Sequence, residues 1–270
     1  MSEETREPAQ SPTAAQSFRR YFQVLAALLR KEEDSRRAAP MDSIVNLLEP
    51  IIMIATISFI FYFLNRRQIS PLGGSPVLFY ATGFFPLYLF IYVSRRMQGA
   101  IDSPHRRLPI EQRLDHILVH IILRIVDYTI LGLLLFGFLY LFLDHAANPS
   151  NLVPVVVACA AIVMLGFGWG VLFLLIPGRH WAVRIVHPAI NRSLIIFSGV
   201  IFIADFLPPD PRYWLSFNPL LHAIALFRTG FYPQYPAIIF DTSYLAASAA
   251  FFLLFGFVLE RISRRSEGHR

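Results

Sequence analysis

Few side chains in this sequence could do chemistry, and their settings say as much as their types. His116 and His120 stand four apart, a spacing that puts two imidazoles on one helix face where they could share a metal. No Glu follows the first His and no third ligand lies nearby, so the zinc-protease pattern is missing and both read as interfacial histidines. Arg124 and Asp127, three apart in an apolar run, face similar directions and read as a structural ion pair ahead of a substrate contact. His222 and Asp241 are the remaining residues that could serve an acid–base step. Cys159, the only cysteine, lies among apolar neighbours and reads as a small buried hydrophobe. Gly166 and Gly170 form a small-xxx-small pair around Gly168; close helix packing explains them, whereas a phosphate loop would need a preceding strand.

What is missing narrows the field further. Lys31 is the single lysine and Glu32 follows it, so a nucleotide-binding P-loop is impossible. No nucleophile elbow, zinc cluster or paired-carboxylate site stands out, and no catalytic or metal-binding residue is assigned.

The elements around these residues have an unusual composition. Of 270 residues 55% are hydrophobic and only 16% charged, and the apolar ones fall in long uncharged runs. Runs of about 20 such residues cross the hydrocarbon layer as helices, and the alternation of barrel strands is absent. The expected fold is all-α integral membrane, with about six transmembrane helices near Ile44–Leu64, Val77–Val93, Ile117–Leu143, Leu152–Ile176, Pro188–Leu207 and Ala237–Leu259. A polar tail at 1–16 reads as disordered and cytoplasmic, and 17–43 as an amphipathic segment lying in the membrane surface. The transmembrane domain then occupies 44–260, followed by a cytoplasmic tail at 261–270. The first 40 or so residues contain no apolar core of a leader, so no cleavable signal peptide is expected.

Net charge is +6, and its distribution reports side rather than partner. With the N-terminus inside, 19 of the 24 lysines and arginines fall in cytoplasmic segments and 4 in outer ones, which predicts both termini inside. Because the basic residues sit between apolar runs, nucleic acid is not an expected partner. The connection at 208–236 is too apolar for a free loop, yet Pro219–Tyr232 is too short to span; a re-entrant or interfacial hairpin before the last span is expected. Its aromatics Tyr213, Trp214, Phe231, Tyr232 and Tyr235 suit an interface.

LLRKEEDSRR, Leu48-Glu49-Pro50, the run of Thr82, Gly83 and Pro86, and the stretch from Asn218 to Tyr235, in that order, resemble the permease subunit of type-2 ABC exporters, most closely the capsular polysaccharide and O-antigen branch. An Arg-Glu-rich end to an amphipathic gate helix is matched by LLRKEEDSRR, and a Leu-Glu-Pro by Leu48, Glu49 and Pro50. A Thr-Gly-x-x-Pro run is matched by Thr82, Gly83 and Pro86. Near the end Asn218, Pro219, His222, Arg228, Gly230, Phe231 and Tyr235 match the family's Asn-Pro-Leu, His, Arg-x-Gly-Phe and Tyr. The likeness covers about residues 18–265. It departs in RRAAPMDSIVNLLEP, which lacks the usual Gly-rich, Trp-containing stretch, and in the arginine-rich second cytoplasmic connection.

The resemblance implies a transporter subunit rather than an enzyme, in the bacterial inner membrane. Two copies would form a channel and two separate ATP-binding cassette subunits would dock from the cytoplasm. ATP and magnesium would be bound in that partner and no cofactor in this chain. Candidate docking residues are Arg30, Glu32, Glu33, Arg36, Arg106 and Arg107. Candidate channel-lining residues for a polysaccharide are Phe84, Phe85, Tyr88, Tyr213 and Trp214, because aromatic faces stack on sugar rings; ordinary lipid-facing aromatics explain any one of them as well. Glu49, Pro50, Asn218, Pro219, His222 and Arg228 are structural residues of the family motifs. Periplasmic and outer-membrane export proteins are further partners the resemblance allows. Two other readings stay open: an exporter of the same class moving a lipid or drug, and a membrane-embedded glycan or lipid transferase using His222 and Asp241.

Overall fold

A computed structural model describes residues 40–64, 75–102, 110–173, 185–236 and 238–267, together with Arg30 and Leu72. Among the described residues all regular structure is helical. In chain order the α-helices are α1 (Pro40–Leu64), α2 (Pro76–Asp102), α3 (Ile110–Phe142), α4 (Leu152–Leu172), α5 (His187–Phe197), α6 (Pro209–Leu215), α7 (Pro219–Thr229) and α8 (Thr242–Glu267). Short 3-10 turns occupy His145–Ala147 and Ala204–Phe206.

Among the described residues, four stretches are long and apolar enough to cross a membrane: Pro76–Arg95, Ile121–Phe142, Leu152–Leu172 and Thr242–Leu259. A shorter apolar stretch, Leu48–Phe61, lies within α1. The helices overrun several expected bounds. Helix α1 already begins at Pro40, and α8 carries 261–267 as helix. Helix α2 continues to Asp102 and α3 already begins at Ile110, so the basic connection shrinks to 103–109, outside the described residues. The expected disordered tail at 1–16 lies outside the described residues, as does most of the amphipathic segment.

Helix α2 is the axis of the bundle. It touches α1, α3, α4, α5 and α7, and its span is almost entirely buried. Hydrocarbon gives no hydrophobic gain for bringing two membrane helices together, so small residues and dispersion must hold them. Both are present. A Cβ on Gly166 of α4 would come within 3.1 Å of the Phe90 carbonyl oxygen and of Val93 on α2. One on Gly168 would overlap the backbone of Phe252 on α8, where Gly256 answers it from the facing side. Helix α4 is thus sandwiched between α2 and α8 at backbone contact. On the other side of α2, Phe85, Tyr128, Phe136, Phe227 and Phe231 form a chain of ring contacts joining α2, α3 and α7 at 4.6–5.8 Å between centroids.

Polar clasps close the ends. The Asp144 carboxylate after α3 accepts the Ser75 N–H at 2.7 Å, just ahead of α2, and also the Ala146 N–H at 2.9 Å. At the opposite end of α2, Arg95 pairs with Glu49 of α1 at 3.1 Å. Both side chains are about two-fifths exposed, so this pair contributes at most about 1 kcal/mol.

The expected span Pro188–Leu207 is not one helix. Helix α5 stops at Phe197 after 11 residues, about 16 Å at the α-helical rise and half of a hydrocarbon core. The chain then runs through Ser198 and Gly199, whose φ of 68° only glycine adopts without strain, to the 3-10 turn at Ala204–Phe206. The carbonyls freed by this break are met by Arg228, 28 residues beyond Val200.

Candidate functional site

The site grows from the end of α5 and the segment that follows it. Asn218 does two jobs there. Its side-chain oxygen caps α7 by accepting the Leu220 N–H at 3.0 Å, and Pro219 occupies the first turn, where its missing N–H costs nothing. The Asn218 amide donates back to the Phe197 carbonyl at 2.9 Å and the Ser198 hydroxyl at 3.0 Å, fastening α7 to the stump of α5. From Leu220 to Arg228 every residue of α7 is buried.

Arg228 ends the helix with its side chain fully buried. Its guanidinium donates to the carbonyls of Gly199 and Val200 at 2.7 Å each, with longer contacts to Phe79 at 3.4 Å and Phe202 at 3.5 Å. The Phe79 ring lies beneath it at 4.1 Å from the centroid. Broken helices expose carbonyls that hydrocarbon cannot satisfy, so such backbone survives only where protein covers it. Here one planar cation with several donors supplies the partners, at the negative end of the α5 dipole. The fit leaves no spare room. A Cβ on Gly83 of α2 would come within 2.7 Å of the guanidinium and 2.8 Å of the Val200 oxygen. The Thr-Gly of α2 and the Arg-x-Gly of α7 are therefore two halves of one contact.

Gly230 completes the second motif. Its carbonyl accepts the Asn151 N–H at 3.2 Å and the Ser150 hydroxyl at 3.0 Å, and a Cβ there would collide with Val155 and the Asn151 carbonyl. Phe231 then stacks on Phe136 of α3, 4.6 Å between centroids.

His222 is buried and fully engaged. The Asp241 N–H donates to its Nδ1 at 3.1 Å, so Nε2 carries the proton and donates to the Ser216 carbonyl at 2.7 Å. Asp241 holds His222 through that backbone N–H. The Asp241 carboxylate accepts the N–H groups of Ser243 and Tyr244 at the start of α8, and these hold its pKa below the ordinary carboxylate value. The two side chains that a transferase would need as acid and base are committed to capping instead.

The other candidates read from the sequence do not converge here. Phe84, Phe85 and Tyr88 were lining candidates; the structure places all three in the core, at 0%, 5% and 6% exposure, because α2 is enclosed on every side. Tyr213 and Trp214 are exposed and edge-packed on α6. With Phe197, Phe202, Leu215 and Phe217, Trp214 lines an open apolar groove of about 500 Å³ beside the broken end of α5. Glu49 forms the pair with Arg95, and Pro50 is buried. Arg30 is helical and exposed, whereas Glu32, Glu33, Arg36, Arg106 and Arg107 lie outside the described residues. His116, His120 and Arg124 lie on α3, with their side chains outside the described residues. Sequence reasoning passed over Phe79, Ser150, Asn151 and the 199–202 backbone. Only Ser198-Gly199, a turn-forming pair inside an apolar run, could have signalled the break.

Comparison with known proteins gives the site its context. The ABC-2 type transporter family matches residues 23–232. The polysialic acid transport protein KpsM of Escherichia coli is 24% identical over 218 residues, covering 80% of this chain and 83% of KpsM. The capsule polysaccharide export inner-membrane proteins CtrC of Neisseria meningitidis serogroup B and BexB of Haemophilus influenzae are 25% and 23% identical over 251 and 253 residues. They cover 91% and 92% of this chain, and 92% and 93% of their own lengths. The matched stretch runs from before α1 through the arginine-capped break to Tyr232, and on that ground the chain belongs to the ABC-2 type transporter family as one of its membrane-spanning proteins.

Proposed function

We propose that this chain is the channel-forming subunit of an ABC exporter that moves a polysaccharide across the bacterial inner membrane. The observation that carries the reading is coverage: relatives named for polysialic acid or capsule polysaccharide export align with four-fifths or more of the chain. A lipid or drug as cargo has no comparable support, and the engagement of His222 and Asp241 argues against a transferase.

Two copies of the chain form the path. Energy comes from two separate ATP-binding cassette subunits, which hold the ATP and magnesium, since this sequence has no P-loop lysine. Six membrane crossings with both termini inside fit the charge bias, provided α5 and the irregular segment after it count together as one crossing. In that orientation the 103–109 connection, with Arg106 and Arg107, faces the ATPase. Helix α2 then runs as one strut from that docking connection to Gly83, where it touches Arg228 and Val200. Movement of the ATPase pair would reach the exit segment through this buried helix. Periplasmic and outer-membrane proteins would take the polymer onward.

The test is reconstitution. The chain alone should hydrolyse no ATP; with its cognate ATPase in proteoliposomes it should drive ATP-dependent polysaccharide movement. Hydrolysis by the chain alone, or turnover of a glycan in detergent without a partner, would sink the reading.

A further inference from the structure

The arginine cage and the apolar groove share one stretch of backbone. Arg228 binds the carbonyls of Gly199, Val200 and Phe202, while the side chains of Phe197 and Phe202 line the groove. Trp214 and Phe217 line it too, and Asn218 sits in both structures, lining the groove while holding the Phe197 carbonyl. The 197–202 segment therefore lines the groove while it is held at Phe197 and Ser198 by the Asn218 amide and at Gly199 and Val200 by the Arg228 guanidinium, the two ends of α7.

We propose that Arg228 is the positioning residue of the export path: it fixes the interrupted end of α5, and through it the aromatic groove at Phe197, Phe202, Trp214 and Phe217 over which polysaccharide passes. This rests on the export reading above. The chemistry is consistent at each step. Aromatic side chains offer flat faces to the C–H faces of sugar rings, and they do so only at a fixed spacing. A two-armed donor fixes two adjacent carbonyls at once, which a point charge such as lysine does not. The cation itself is sealed from the groove, so its effect on polymer is indirect.

Arg228→Lys keeps the charge and removes the fork. In proteoliposomes holding the full chain and its ATPase, this variant should lose export by about tenfold or more while ATP hydrolysis by the partner persists. Gly83→Ala, which crowds the guanidinium from the α2 side, should uncouple in the same direction and less severely. A direct readout of groove geometry is the labelling of Phe217→Cys by an aqueous thiol reagent in a Cys159→Ala chain; Arg228→Lys should change that rate several-fold in protein that remains folded. Export by Arg228→Lys at the wild-type rate overturns the proposal. So does a parallel fall of export, ATP hydrolysis and folded protein with unchanged labelling of what remains. If the wild-type assembly moves no polysaccharide, the export reading fails instead, and the labelling rate still decides whether Arg228 sets the groove.

Discussion

At the scale of single residues the family motifs resolve into contacts, each with its own physical demand. Gly230 must lack a Cβ because Val155 and the Asn151 carbonyl already fill that space. Gly230→Ala should therefore cost about 1–3 kcal/mol, read as a lower unfolding midpoint in detergent, and an unchanged midpoint would remove the claim. His222 accepts one backbone N–H and donates to one carbonyl. Substitution by Phe keeps the ring but strands both groups, at about 1–3 kcal/mol for each buried orphan. The expected phenotype is poor folding, with no residual transferase activity to lose. A glycan transfer activity abolished by His222→Phe in fully folded protein would contradict a purely structural role for this histidine.

Elements show how far the sequence carries and where it stops. Apolar runs located α2, α3, α4 and α8 because a stretch long and apolar enough to cross announces itself by local composition alone, and they also found α1, whose apolar stretch is shorter. The separate short element before α8 was legible for a different reason: Pro219–Tyr232 is apolar yet too short to cross, and α7 is a buried helix of 11 residues. Two things were hidden. The carbonyls beyond the end of α5 are bound by Arg228, 28 and 29 residues away, and hydropathy sees no such contact. The enclosure of α2 was also invisible, since a helix apolar all round looks alike whether protein or lipid surrounds it. Phe84, Phe85 and Tyr88, expected beside polymer because aromatic faces stack on sugar rings, are buried within the bundle. The glycine pair was half legible: Gly166 packs on α2 as a small residue should, but the tightest crossing belongs to Gly168 and Gly256 between α4 and α8. That crossing makes a sharp comparison. Gly168→Ala should destabilise the bundle by about 1–3 kcal/mol, whereas Gly137→Ala, with nothing within 4 Å of its new methyl, should be neutral or slightly stabilising. Thermal unfolding of the two variants checks both; equal effects would mean that α4 and α8 do not meet as described.

For the whole molecule, one architecture explains motifs spread over most of the chain. Helix α2 links the basic connection at 103–109 to the arginine cage, and the cage holds α5, α7 and the groove together. Charge reversal of Arg106 and Arg107 to Glu should cut partner-stimulated ATP hydrolysis by about tenfold or more, with the bundle intact by thermal unfolding. Undiminished ATPase binding and export in that variant would remove the docking claim. The most direct test of polysaccharide export uses inverted proteoliposomes containing this chain and its cognate ATPase, with polysaccharide and ATP supplied outside. The expected result is ATP-dependent appearance of polysaccharide in the lumen, absent when either subunit is omitted; ATP hydrolysis by this chain alone, or no polysaccharide uptake by an assembly that hydrolyses ATP, would contradict it.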